Sequence, residues 1–307
     1  MRAKHLIVLI GPTGVGKTSA SLAISKRFNT PIISADSRQF FREMKIGTAA
    51  PTPSQLKEAE HYLVGHKSIT ERYSCGMFEM ETLDTLNNIY QTNPIAMLVG
   101  GSMLYIDAVC NGIDDFPTPD SELRESLEKQ LEKDGIETLR AQLKLLDPEQ
   151  YNKIDLKNPQ RILKVVEVCL QTGKPYSTFL NQPKKKRPFT TLKIGLTRPR
   201  EELYSQINSR VDQMIEDGLI EEAQALYPYR NHNALKTVGY REVFEYIDGK
   251  ITLDKAIELI KRNSRRYAKR QLTWWARDNE IHWFHPDKQD EIIKHIELEL
   301  TKKIESP

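Results

Sequence analysis

At 307 residues the chain is long enough for one large domain or two modest ones, and 39% hydrophobic with 28% charged residues is an ordinary globular composition. No stretch approaches the ~20 consecutive apolar residues a membrane helix needs. The formal net charge of +3 is too small by itself to argue for a nucleic-acid partner.

Residues 5–10 read as a buried strand, and their apolar run Leu6-Ile7-Val8-Leu9-Ile10 leads straight into Gly11-Pro12-Thr13-Gly14-Val15-Gly16-Lys17-Thr18. A strand before and a helix (17–28) after are the context in which Gly-x4-Gly-Lys-Thr counts as a P-loop. The glycines let backbone N–H groups turn inward around phosphate oxygens, and the helix N-terminus adds a favourable dipole. Lys17 supplies a point charge, and Thr18 a hydroxyl for Mg²⁺ or phosphate. Because the fold needs this strand, a cleaved signal peptide is not expected. Pro31 to Ala35 is a second strand. Asp36-Ser37-Arg38-Gln39 follows it, where strand ends line the ligand crevice of such sheets. On spacing alone Asp36 reads equally well as a helix N-cap and as a Mg²⁺ ligand or proton acceptor.

Helices are expected over 54–61 and 76–92. Ile95 to Val99 is a third apolar strand, stopped by Gly100-Gly101 and followed by Ser102. P-loop ATPases usually place a Mg²⁺-binding acid at the end of such a strand. Its absence weakens a motor or GTPase reading and leaves small-molecule kinases and related transferases. The pattern changes near Phe116-Pro117-Thr118-Pro119. From there to about 182 the periodicity is helical, with stripes at Leu123, Leu127 and Leu131 and at Ile162, Val165, Val166 and Cys169. Asn181-Gln182-Pro183 and the bases 184–187 close this stretch, and a strand returns at 191–196. The expected fold is therefore α/β: a P-loop parallel sheet flanked by helices (1–115 and 191–307) with an inserted all-helical domain (116–190).

Further helices are expected over 200–227, 239–247 and 253–277, and a last strand over 280–284. Residues 258–277 carry Lys261, Arg262, Arg265, Arg266, Lys269, Arg270 and Arg277 against one acid, Glu258. That clustering suits either a solvated face or a phosphate-backbone contact, since arginine forks match phosphates. Cys75, Cys110 and Cys169 lack metal-ligand spacing and read as buried thiols of a reducing cytoplasm. His61, His66, His232, His282 and His285 show no mutual metal-site spacing.

Taken in order, the motifs resemble those of the tRNA dimethylallyltransferases, which prenylate N6 of an adenosine beside the anticodon. The likeness runs through the P-loop, Asp36 to Gln39, Ile46-Gly47-Thr48-Ala49 and Leu98 to Tyr105. It continues through Asn158-Pro159-Gln160-Arg161, Val238-Gly239-Tyr240-Arg241 and Ala268 to Trp274. It implies that Gly11, Pro12, Thr13, Gly14, Val15, Gly16, Lys17 and Thr18, with Arg210, hold the diphosphate of dimethylallyl diphosphate. Lys17, Thr18 and Arg210 would stabilise the leaving diphosphate with Mg²⁺, which Thr18 would bind directly or through water. Asp36 would accept the proton of the N6 amine of adenosine 37, flipped out of the anticodon loop. Positions matching the family's tRNA contacts are Asp36, Ser37, Arg38, Gln39, Ser102, Arg124, Gln160, Arg161, Ile162, Leu163 and Lys164. They continue with Lys236, Thr237, Val238, Gly239, Tyr240, Arg241, Arg265, Arg266, Lys269, Arg270 and Gln271. The helical insertion would clasp the anticodon stem-loop.

Three places depart from the family pattern: Phe40-Phe41 replace Val-Tyr, Ala50 replaces a lysine, and Glu60 opens what is usually His-His-Leu. No cysteine follows Cys169, so the C-terminal zinc finger of eukaryotic members is absent, and a monomeric bacterial-type enzyme of the cytoplasm is implied. The rival reading is a small-molecule or nucleotide kinase with a helical lid. It explains Lys17, Thr18 and Asp36 but leaves the basic cluster unused.

Overall fold

The computed structural model describes residues 3–114, 116, 117, 120–180 and 185–305. The expected Thr118-Pro119 junction, Asn181-Gln182-Pro183 and Lys184 lie outside the described residues. The chain divides into two compact units, Met1–Asn111 with Lys186–Pro307, and Gly112–Lys185. Both boundaries precede the expected 116 and 190. At the second, Arg187 already belongs to the larger unit. Its guanidinium donates to Glu79 Oε1 and to the Ala108 carbonyl, each at 2.6 Å. That base is therefore spent inside the fold.

The larger unit begins β1 (His5–Ile10), α1 (Lys17–Phe28), β2 (Ile32–Ala35), α2 (Pro53–Glu58), β3 (His61–Tyr62), α3 (Cys75–Thr92), β4 (Ile95–Gly100) and α4 (Met103–Asn111). The smaller unit holds α5 (Ser121–Asp134), α6 (Ile136–Leu146), α7 (Pro148–Lys153) and α8 (Pro159–Thr172). The larger unit resumes with β5 (Thr190–Leu196), α9 (Arg200–Glu216), α10 (Leu219–Leu226), α11 (Tyr240–Ile247), α12 (Leu253–Trp275), β6 (Ile281–Phe284) and α13 (Gln289–Glu305).

The six strands form one sheet in the order β3-β2-β4-β1-β5-β6, parallel throughout. Both faces are covered, which is why β1 is apolar at consecutive positions instead of alternating. Leu6, Val8 and Ile10 face a core with Phe78, Leu86 and Val109. Ile7 and Leu9 face another with Ile24, Leu203, Ile207 and Ile296. The smaller unit has its own core, in which Leu127, Leu139 and Leu143 meet Ile162, Val165, Val166 and Cys169.

The elements differ from expectation in several places, α4 among them, since no helix was expected over Met103–Asn111. The helix expected over 54–61 ends at Glu58, held at its start by a Thr52–Gln55 capping box, and Ala59 is extended. His61 and Tyr62 then pair with Ile32 and Ile33 as an edge strand too short for periodicity to reveal. The single helix expected over 200–227 breaks at Gly218, whose φ of 99° is left-handed. Residues 289–305 form α13, which no expectation covered.

Gly100 does not stop β4 but pairs with both Ile10 and Ala35. A Cβ there would lie 2.2 Å from the Ala35 carbonyl oxygen, so β2 and β4 approach closely only because this residue is glycine. Gly100→Ala is expected to destabilise the protein by about 3 kcal/mol, the upper range for overpacking. Urea unfolding checks this, and an unchanged midpoint would show that β2 moves aside freely.

Candidate active site

The C-terminal ends of three neighbouring strands meet. The P-loop leaves β1, Asp36 leaves β2, and Gly101-Ser102 leave β4, with Ile10, Gly100 and Ala35 in register. This is the crevice position for ligands in open α/β sheets. In the loop, Gly14 and Gly16 have φ of 76° and 107°. An L-side chain would be strained at either position. Lys17 heads α1, and its Nζ donates to the Gly11 and Pro12 carbonyls, both at 2.9 Å. Thr18 stands exposed one residue later.

Asp36 caps no α-helix. Its Oδ1 accepts from the Arg38 N–H at 2.9 Å and heads a turn, so the N-cap reading falls away. Ser102 Oγ accepts from the Ser37 N–H at 2.7 Å, tying the end of β4 to this turn. Gln39 is consumed internally. Its Oε1 accepts from Ser34 Oγ, and its Nε2 donates to the Thr48 and Ala49 carbonyls. Arg210, from α9, reaches the same Thr48 carbonyl at 3.5 Å.

Burial, and then the like charge of Arg210, bring the Lys17 ammonium down to about 7, against the opposing pull of Asp36. Burial likewise lowers Arg210, with Asp36 opposing. Burial also lowers Arg38, opposed by Tyr105, Asp36 and Tyr267. Three cations thus surround one carboxylate in a partly desolvated space, an arrangement that favours an anionic ligand.

Asp36, Arg38 and Arg210, but not Lys17 or Thr18, line a cavity of about 330 Å³, the size of a small-ligand pocket. Thr13, Asp36, Ser37, Arg38, Thr48 and Arg210 line one part of its wall, and Lys236 to Gly239, Arg241 and Arg270 another. Ile207, Val211, Met214 and Ile260 add an apolar patch that sequence reasoning had not connected with the site.

Several expected tRNA contacts turn out to be structural. Gln271 is 1% exposed. Its Oε1 accepts from the Thr13 N–H at 2.9 Å, and its Nε2 donates to the Gly101 carbonyl at 2.8 Å. It therefore braces the P-loop against β4 instead of facing RNA. Gly101 leaves room for it, since a Cβ there would sit 2.4 Å from the Gln271 amide nitrogen. Tyr240 is fully buried with its hydroxyl on Glu222, and Ile162 and Leu163 lie in the helical core. Arg265 donates to Asn208 Oδ1 at 2.6 Å, so it faces α9.

In the smaller unit, Arg124 is held by Glu128, the buried Glu167 and Gln160, and Lys164 also reaches Glu167. Exposed bases remain at Arg161, Lys236, Arg241, Arg266, Lys269 and Arg270. Tyr267 was missed. Its ring lies 5.6 Å from the Arg270 guanidinium, and its hydroxyl is 3.4 Å from the Gly101 carbonyl. The available signal was its place one helical turn before Gln271.

The Thr18 hydroxyl, exposed in the first turn of α1, is a hard oxygen donor of the type Mg²⁺ accepts when phosphate oxygens and water complete its shell. Among the described residues His285, Glu202 and Asp287 form one cluster of potential metal ligands, with no second histidine in it. The Arg198 guanidinium already bridges both carboxylates, which accounts for the cluster without a metal.

A family model described as IPP transferase matches residues 39–278. The tRNA dimethylallyltransferase 1 of Bacteroides fragilis is 54% identical over 300 residues, covering 98% of this chain and 100% of that protein. The tRNA dimethylallyltransferase of Christiangramia forsetii is 50% identical, with 97% and 99% covered. Among solved structures, the tRNA isopentenylpyrophosphate transferase of Bacillus halodurans superposes with a TM-score of 0.72 at 36% identity, over 98% of each chain. A eukaryotic dimethylallyltransferase acting on tRNA superposes with a TM-score of 0.79 at 27% identity, over 92% of this chain and 74% of that one.

Proposed function

The chain belongs to the IPP transferase family, and from that membership we propose that it transfers the dimethylallyl group of dimethylallyl diphosphate to N6 of adenosine 37 in tRNA. The observation that carries this reading is one cavity wall shared by Asp36, Arg210 and P-loop residue Thr13. An acceptor base and a diphosphate meet there. The amine N6 attacks C1 of the allyl group, the N6–C1 bond forms and the C1–O bond breaks. The N6 proton passes to the Asp36 carboxylate, and the electron pair leaves with the diphosphate. Charge builds on that leaving group, and Lys17 at the head of α1 and Arg210 on α9 are the cations that would neutralise it. Mg²⁺, held by Thr18 and the diphosphate oxygens, would supply further charge neutralisation.

A kinase is disfavoured at β4. The carbonyl of Gly101 is occupied by Gln271, and no acid follows that strand to hold a nucleotide's metal. The exposed bases Lys236, Arg241, Arg266, Lys269 and Arg270 fit the phosphates of an anticodon stem-loop, engaged by a monomer in the cytoplasm. Arg161, in the smaller unit, is a further exposed base.

Incubation with labelled dimethylallyl diphosphate and unmodified tRNA is expected to place the label on adenosine 37. Unlabelled tRNA, together with ATP turnover on a small acceptor, would establish the kinase instead.

A further inference from the structure

Residues 45–49 form a short loop between the P-loop side of the cavity and α10. Its inner side carries the Thr48 and Ala49 carbonyls, which accept from Gln39, and the Thr48 carbonyl also meets Arg210. Its outer side presents three consecutive N–H groups, those of Lys45, Ile46 and Gly47. All three donate to a single carboxylate: Lys45 and Ile46 to Glu222 Oε2 at 2.9 and 2.8 Å, and Gly47 to Oε1 at 2.9 Å. Consecutive amides converging on an anion form a backbone nest, here filled by the protein's own side chain. The Tyr240 hydroxyl donates to the same Oε1 at 2.7 Å. Its ring fills the place of a Gly47 side chain, since a Cβ would lie 2.6 Å from Cε2. The loop is thus gripped from outside by Glu222 and Tyr240, while its inner carbonyl holds Arg210.

We infer that Glu222 is a positioning residue for the transfer reaction: it fixes the 45–49 loop so that the Thr48 carbonyl holds Arg210 against the leaving diphosphate. The inference rests on the assignment of Arg210 to that diphosphate. Glu222 itself does not line the cavity, and it acts through the loop. Charge-assisted acceptors of backbone N–H groups are the stronger class of hydrogen bond. In Glu222→Gln an amide NH₂ replaces one carboxylate oxygen and faces N–H groups it cannot accept from.

The test is a cycle of Glu222→Gln and Arg210→Ala, read by single-turnover prenyl transfer to tRNA and by calorimetric binding of inorganic diphosphate. Glu222→Gln is expected to slow transfer about 10²-fold, as small misplacements in an active site do, and to weaken diphosphate binding. In the Arg210→Ala background it should change either quantity by no more than about twofold, because coupled residues are not additive. Tyr240→Phe, which removes one neutral donor and keeps the nest, is a milder second variant and should lose its effect in the same background.

Equal losses in both backgrounds would overturn the inference and make Glu222 a general stability residue. No loss in the wild-type background would overturn it too. If Arg210→Ala alone leaves transfer and diphosphate binding intact, the assignment of Arg210 fails, and with it the inference. That outcome is distinct from equal losses on top of an impaired Arg210→Ala enzyme.

Discussion

Asp36→Asn lowers the single-turnover rate of prenyl transfer by about 10²–10⁴-fold, the range for loss of a positioned general base, while tRNA binding is retained. The geometry makes this substitution clean. Asp36 Oδ1 accepts the Arg38 N–H, and the asparagine carbonyl accepts it equally well, so the turn that presents Ser37 and Arg38 persists. What disappears is the capacity to take a proton, and with it the negative charge amid Lys17, Arg38 and Arg210. The second loss has its own signature. Asp36 supports the charged form of Lys17, so the variant holds less ammonium at neutral pH. Measurement at pH 6, where Lys17 is largely protonated in the wild type, separates the two effects. A defect that persists at pH 6, and also in a Lys17→Met background where there is no ammonium to support, marks Asp36 as the base. A rate restored at pH 6 would assign it to charge support alone.

Lys17→Met is the second large effect: transfer is expected to fall about 10²–10³-fold, as when one preorganised donor to a developing anion is removed. The accompanying pH dependence follows from the displaced Lys17, with its pKa at about 7 in the ligand-free protein. A diphosphate beside it favours the ammonium and raises that value. Below pH 6 the side chain is charged with or without ligand, so binding moves no proton at Lys17. Between about 7 and the higher value of the complex, free Lys17 is neutral and bound Lys17 charged, so binding takes up a proton. Affinity then falls as pH rises, by at most about tenfold per pH unit for one proton. Calorimetry at pH 8.5 in buffers of different ionisation enthalpy reads that uptake directly. It should vanish in Lys17→Met, and uptake of the same size in that variant would assign the proton to another group.

The departures from the family pattern have partial structural accounts. Phe40 is fully buried among Phe78, Tyr73 and Tyr105, so its aromatic bulk is accommodated by the core beneath the Asp36 turn. Glu60 accepts from the Tyr62 hydroxyl at 2.7 Å on the edge strand, away from the cavity lining. Nothing in the structure explains the alanine at position 50.

The P-loop was legible in the chain alone, because Gly11-x4-Gly16-Lys17-Thr18 between a strand and a helix is a local pattern whose geometry follows from the residues within it. So was the parallel sheet, because a run such as Leu6 to Ile10 leaves no solvated face. The helical insertion was legible too, through stripes such as Ile162, Val165, Val166 and Cys169. Which residues of a motif line the cavity and which brace it depends instead on packing between distant elements. Gln271 meets Thr13 across 258 positions, and Glu222 meets Ile46 across 176. Contacts at such separations are set by the packing of α12 on the sheet and of α10 on α9 and α11, to which spacing along the chain is blind. Arg265 and Arg266 are adjacent in one basic helix, yet one faces Asn208 and the other solvent. A turn of about 100° per residue separates them, and only the position of α9 says which side is buried.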